Sequence, residues 1–143
     1  VQDCLSTSAP PWAPKRCMRM LHAALHGTVG AAVGLALCQP DTLTWLGVGN
    51  ITLLVWNQDT GHSAQGLLCP GIVGFHKLPY LRLQHFAFGP GSTVVLHSDG
   101  LVAHGLSRVW QAQASAQSIA DHLLAAGAVL HDDACVAILQ VLL

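Results

Sequence analysis

The chain has 143 residues, enough for one domain and too few for two. Charged residues make up 9% and apolar residues 52%, so disorder is excluded, because such a chain can bury enough surface to offset the entropy of folding. Six Lys/Arg against seven acids give a net charge of −1, with no basic stripe along the chain to neutralise phosphates, which speaks against nucleic acid as a partner.

In chain order, the stretch SAPPWAP reads as a Pro-rich connector, since proline removes N–H donors and restricts the backbone. KRCMRMLHAALHG follows, with Met18, Leu21, Ala24 and Leu25 at helical spacing and Gly27 as a stop. AAVGLALC, TLTWLGVG and ITLLVWN read as three strands of an antiparallel meander, the first two closed into a hairpin by Pro40 and Asp41. NQDTGHSAQG reads as a polar loop, and GLLCPGIVGFHKLPY as a short strand with irregular flanks. LRLQHFAF alternates like a half-buried strand, and TVVLHS reads as a strand buried on both faces. SAQSIADHLLAAGA predicts a helix with Ser115 or Ser118 as N-cap and Gly127 near its end. ACVAILQVLL reads as a final buried strand. The sum is an α+β layered domain with mostly antiparallel sheets, not a βαβ array.

The five cysteines, at 4, 17, 38, 69 and 135, form no C-x-x-C and no zinc spacing. Reduced thiols are expected, and with them a cytoplasmic location. No apolar run reaches the ~18–20 residues of a spanning helix, and the first residues lack the basic start and apolar run of a signal peptide. No membrane partner is expected.

All seven acids are Asp. Asp99 lies in HSDG directly after the apolar strand TVVLHS, and Gly100 lets the backbone turn sharply there. Asp132 and Asp133 lie in HDDA directly before ACVAILQVLL. If those strands are antiparallel neighbours, the acids meet at one edge of the sheet. Paired Asp oxygens there suit a hard cation, Mn²⁺ or Mg²⁺. His97 and His131 flank the two motifs; packing at a strand end is expected of them, and the alternative is that they tune the site or donate a proton. His22 and His26, four apart on the first helix, lack a third ligand and read as a solvated or partly packed face. No P-loop, G-x-S-x-G or H-E-x-x-H is present.

The ordered segments GTVGAAVGLALCQPDTLTWLGVGN, TVVLHSDGL and HDDACVAILQ resemble the PPM superfamily of metal-dependent protein serine/threonine phosphatases. Within it they resemble the sporulation-stage-II-E-like branch and its small stressosome phosphatases, from about Leu21 to Leu143. The resemblance implies an αββα sandwich in which residues 1–143 are one phosphatase-like domain, the C-terminal portion of a PPM domain. It implies a two-metal site where a metal-activated water attacks the phosphorus of phosphoserine or phosphothreonine. Asp99 and Asp132 then match metal ligands, with Gly100, Asp133, His97 and His131 around them.

The implied partners are phosphorylated stressosome proteins of the STAS-domain type, the implied role is negative regulation of the general stress response, and a monomer is expected. The family's early G-D and D-G-x-G-H/S-G motifs do not occur in these 143 residues, and are expected upstream together with the first strands. Val29 stands where close relatives carry Arg. The segment alone is therefore expected to be inactive. The alternative is a catalytically degenerate binding module for the same partners.

Overall fold

The computed structural model describes residues 13–78, 80–102, 114–129 and 131–142. The Pro-rich connector up to Trp12, with Asp3 and Cys4, lies outside the described residues.

The first helix, α1 (Pro14–Ala24), begins inside the proline stretch that the sequence reads as a connector. Pro14 opens it, and proline is tolerated there because the first N–H groups of a helix have no intrahelical partner. Its apolar side, Cys17, Met18 and Leu21, is buried.

Among the described residues eight strands follow: β1 (Val33–Cys38), β2 (Thr42–Val48), β3 (Thr52–Asn57), β4 (Ser63–Gln65), β5 (Leu68–Cys69), β6 (Gln84–Ala87), β7 (Ser92–His97) and β8 (Val136–Gln140). Between β7 and β8 comes the second helix, α2 (Ala116–Gly127). Ser115 is its N-cap, its side chain accepting from the Ser118 N–H at 3.2 Å.

The strands form two sheets. β1 and β2 pair as the expected antiparallel hairpin, and β2 also pairs with β6 along its first half and with β5, in parallel, at its end. The second sheet has the order β4-β3-β7-β8, all antiparallel.

The expected three-stranded meander is therefore corrected. β3 does not pair with β2, because the link Gly49–Ile51 carries the chain from one sheet to the other. The polar loop NQDTGHSAQG is corrected too: Ser63–Gln65 pairs with β3 as β4, closing a hairpin around the Asn57–Thr60 turn. A polar edge strand carries little hydrophobic signal, so pattern alone misses it.

Side-chain alternation orders the layers. On β2, Leu46 and Val48 join Met18 and Leu21 of α1, whereas Leu43 and Trp45 face Leu53, Val55 and Val94 of the other sheet. On β7 the next residue, Val95, packs with Ile119 and Leu123 of α2. The order is α1, first sheet, second sheet, α2: an αββα sandwich.

Trp45 fills the middle, fully buried. A Cβ at Gly34, Gly47 or Gly66 would come within 2.5, 2.5 or 2.6 Å of its ring, so the indole occupies space those glycines leave.

β8 is not the buried strand that its composition suggests. It is an edge strand whose residues alternate between half-buried and exposed. Val136 and Ile138 pack toward α2, while Leu139, opposite Val94 and so on the face toward the first sheet, is 45% exposed. That sheet does not reach over β8. No helix among the described residues is long and apolar enough to cross a membrane.

Candidate metal centre: two acidic loops at one end of the sandwich

β7 runs toward His97 and β8 leaves from Val136, and these two residues are paired. The antiparallel register therefore brings the end of TVVLHS against the start of ACVAILQVLL, and the loops that carry the acids lie side by side. α2 makes the return that this arrangement requires, since its end is tied back to the same loop. Val102 N–H donates to the Gly127 carbonyl at 2.9 Å, and Val129 N–H to the Gly100 carbonyl at 2.9 Å.

Ser98 clamps the two loops. Its N–H donates to the Cys135 carbonyl at 3.0 Å, its Oγ accepts from the Cys135 N–H at 3.0 Å, and the same hydroxyl donates to the Asp133 carbonyl at 3.3 Å. Gly100 is buried against the Asp133 backbone, and a Cβ there would overlap the Asp133 carbonyl. Reading the motif for its acids alone passes over Ser98. The signal was its place, a short hydroxyl residue between a buried strand and the acidic turn.

Asp99, Asp132 and Asp133 are all exposed. The Asp132 carboxylate accepts from the Asp133 N–H at 2.9 Å, which fixes one of its oxygens at the loop. His97 is buried, and its Nδ1 donates to the Ser98 carbonyl at 2.8 Å, which leaves Nε2 as the acceptor of the neutral ring. His131 is exposed and sits at φ +74°, a left-handed turn position. His22 Nδ1 accepts from the Gly74 N–H at 2.9 Å, a packing role, and His26 is exposed.

The turns Gly49–Ile51 and Ala31–Ala32 stand at this same end, since β1 and β3 start and β2 stops there. A cavity of about 400 Å³, lined by Asp41, Asn57, His62, His85 and Ser92 among others, lies at the opposite end, where β2 and β7 begin. Cys38 ends β1 at that far end too, and the partial desolvation of its otherwise exposed side chain pushes its thiol up. The described cysteines, Cys17, Cys38, Cys69 and Cys135, are all free thiols, two buried and two exposed.

Hard carboxylate oxygens suit Mg²⁺ or Mn²⁺ in kind. Their number falls short: among the described residues no group of three or more His, Cys, Asp or Glu is placed to hold a metal ion. Asp99 and Asp132 can supply part of a coordination sphere, not all of it.

The architecture has solved counterparts. A chain from work on the bacterial stressosome, described there as a modular system adapted to control secondary messenger signalling, superposes with a TM-score of 0.82 at 20% identity, over 96% of this chain and 72% of that one. RsbX in complex with magnesium superposes with a TM-score of 0.73 at 19% identity, over 96% of this chain and 68% of that one. The fold is that of the PPM phosphatases. The Mn-presoaked phosphatase domain of SpoIIE, a cell fate determinant of Bacillus subtilis, gives a TM-score of 0.59 at 16% identity, over 99% of this chain and 70% of that domain. No protein-family model and no curated protein sequence matches the chain, so the PPM likeness rests on structure.

Proposed function

We propose that the chain is the C-terminal portion of a metal-dependent protein serine/threonine phosphatase acting on phosphorylated stressosome proteins of the STAS-domain type. The observation that carries the reading is the pairing of His97 with Val136, which sets Asp99 and Asp132 on adjacent loops of a PPM-type sandwich. A divalent cation, Mn²⁺ or Mg²⁺, supplies when bound an activated water for attack on phosphorus. The protein's part is to hold Asp99 and Asp132 on the loops that follow β7 and precede β8, and to keep those loops registered through Ser98 and Gly100. Gly100, Asp133, His97 and His131 support these ligands. The reading carries with it a cytoplasmic monomer that damps the general stress response.

The second reading, a binding module with the same fold and partners, is favoured by one observation: the described residues complete no three-ligand cluster. One experiment separates the two. A chain extended upstream is assayed on a phosphoserine peptide with and without Mn²⁺, beside its Asp99→Asn variant. Mn²⁺-dependent phosphate release that disappears in the variant is expected. An extended chain that carries a D-G-x-G motif and releases nothing would overturn the enzyme reading.

A further inference from the structure

Residues 13–40 and 60–98 contain no acid, yet they hold Lys15, Arg16, Arg19, Lys77 and Arg82, every Lys and Arg among the described residues. The fold brings these two separate stretches together. Gly74 lies against the C-terminal end of α1, its N–H bonded to His22 and its Cα against Leu25. Tyr80 lies at the N-terminal end, with Lys15 Nζ 5.7 Å from the centre of its ring. Leu81 joins Met18 and Leu21 in one core cluster. Residues 74–78 and 80–82 therefore lie alongside α1 in the opposite direction, over the ~16 Å length of an eleven-residue helix.

Arg16 and Arg19 of α1, and Lys77 and Arg82 of the stretch beside it, are exposed. The described Asp residues lie elsewhere: Asp41 and Asp59 at the far end of the sandwich, Asp121 on α2, and Asp99, Asp132 and Asp133 on the acidic loops. Among the described residues the charges are thus strongly polarised, although the chain as a whole has a net charge of only −1. Large apolar side chains stand among or beside the cations: Tyr80 is 85% exposed, Phe75 48% and Ile72 45%. Val29 adjoins them, because the next residue, Gly30, packs against Ile72 and the Val73 carbonyl.

The geometry points to the face made by α1 and residues 72–78 and 80–82 as a docking surface for an acidic segment of a partner protein that carries aliphatic or aromatic side chains. Charge complementarity selects an acidic partner, and exposed Tyr, Phe and Arg together are the composition of a protein interface. A membrane is disfavoured because the apolar side of α1, Met18 and Leu21, is already spent in the core and cannot insert. A nucleic acid would use the cations but would leave Val29 and Ile72 without a role. The inference stands on charge and exposure, independently of the phosphatase reading.

The test uses the full chain and a short fluorescein-labelled peptide of Asp and Glu interspersed with Leu and Phe, followed by fluorescence anisotropy. Saturable binding is expected that weakens by about tenfold or more in the triple variant R16E/R19E/K77E, and as salt rises from about 50 to about 300 mM. Tyr80→Ser, at an exposed position that leaves the fold intact, is expected to weaken it by about threefold. The circular dichroism spectra of both variants should match the parent. Absence of binding, binding indifferent to the charge reversal, or tighter binding of single-stranded RNA or phosphatidylserine vesicles than of the peptide would each overturn the inference.

Discussion

Gly100 and Asp133 meet backbone to backbone: the Cα of one lies so close to the carbonyl of the other that no side chain fits between them. This contact holds the exit of β7 against the entry of β8, and with it the spacing of the two acidic loops. Gly100→Ala should separate the loops and cost about 1–3 kcal/mol, the usual penalty for forcing extra volume into a packed contact. Urea denaturation checks the stability. A parent-like midpoint would show that the loops are not held by this contact.

Asp99 and Asp132 are exposed, so their removal should cost little in folding. Asp99→Asn and Asp132→Asn are each expected within about 0.5 kcal/mol of the parent in stability. In Asp132→Asn the side-chain amide keeps an oxygen that can accept from the Asp133 N–H. Each variant loses a charge facing the cation, so Mn²⁺ binding by the 143-residue chain, read by calorimetry, should weaken by at least about tenfold. Equal Mn²⁺ affinity in parent and variants would remove both residues from the site.

The 143-residue chain by itself is expected to release no phosphate from a phosphoserine peptide at any Mn²⁺ concentration. The reason is ligand number. Asp41 is in a hairpin turn, Asp59 in a turn at the far end, and Asp121 is bonded to Gln117 on α2, so none can join Asp99 and Asp132. Robust Mn²⁺-dependent release would mean that the site is complete in these residues and that its ligands are others.

Trp45→Ala should be among the most damaging single changes. The indole is fully buried between the sheets, its N–H donates to the Leu67 carbonyl at 3.3 Å, and three glycines leave the space it fills. A loss of about 3–5 kcal/mol is expected, measured as the shift in thermal or urea unfolding. Trp45→Phe, which keeps most of the volume, should lose distinctly less.

Much of the local structure was legible because it depends on neighbours along the chain. Helical spacing marked Met18 and Leu21, Ser115 or Ser118 announced a cap that the structure assigns to Ser115, and Pro40-Asp41 announced a hairpin that the structure contains. The apolar run of TVVLHS marked β7, and the two acidic motifs stood out because each borders an apolar run. The order of the motifs was enough to point to a PPM-type sandwich.

What the chain order could not contain was decided between residues far apart. Period-2 alternation shows that a strand has two faces, not which strand lies beside it. So ITLLVWN looked like the third strand of a meander, and only the crossing at Gly49–Ile51 assigns it to the other sheet. The apolar run of β8 looked buried, but burial depends on what lies over a face, and the first sheet leaves Leu139 half uncovered. The cations formed no stripe along the sequence. They become one face because Leu81 and Gly74 pack on α1, carrying Lys77 and Arg82 to Arg16 and Arg19. Composition counts charges, and tertiary packing decides which of them act together.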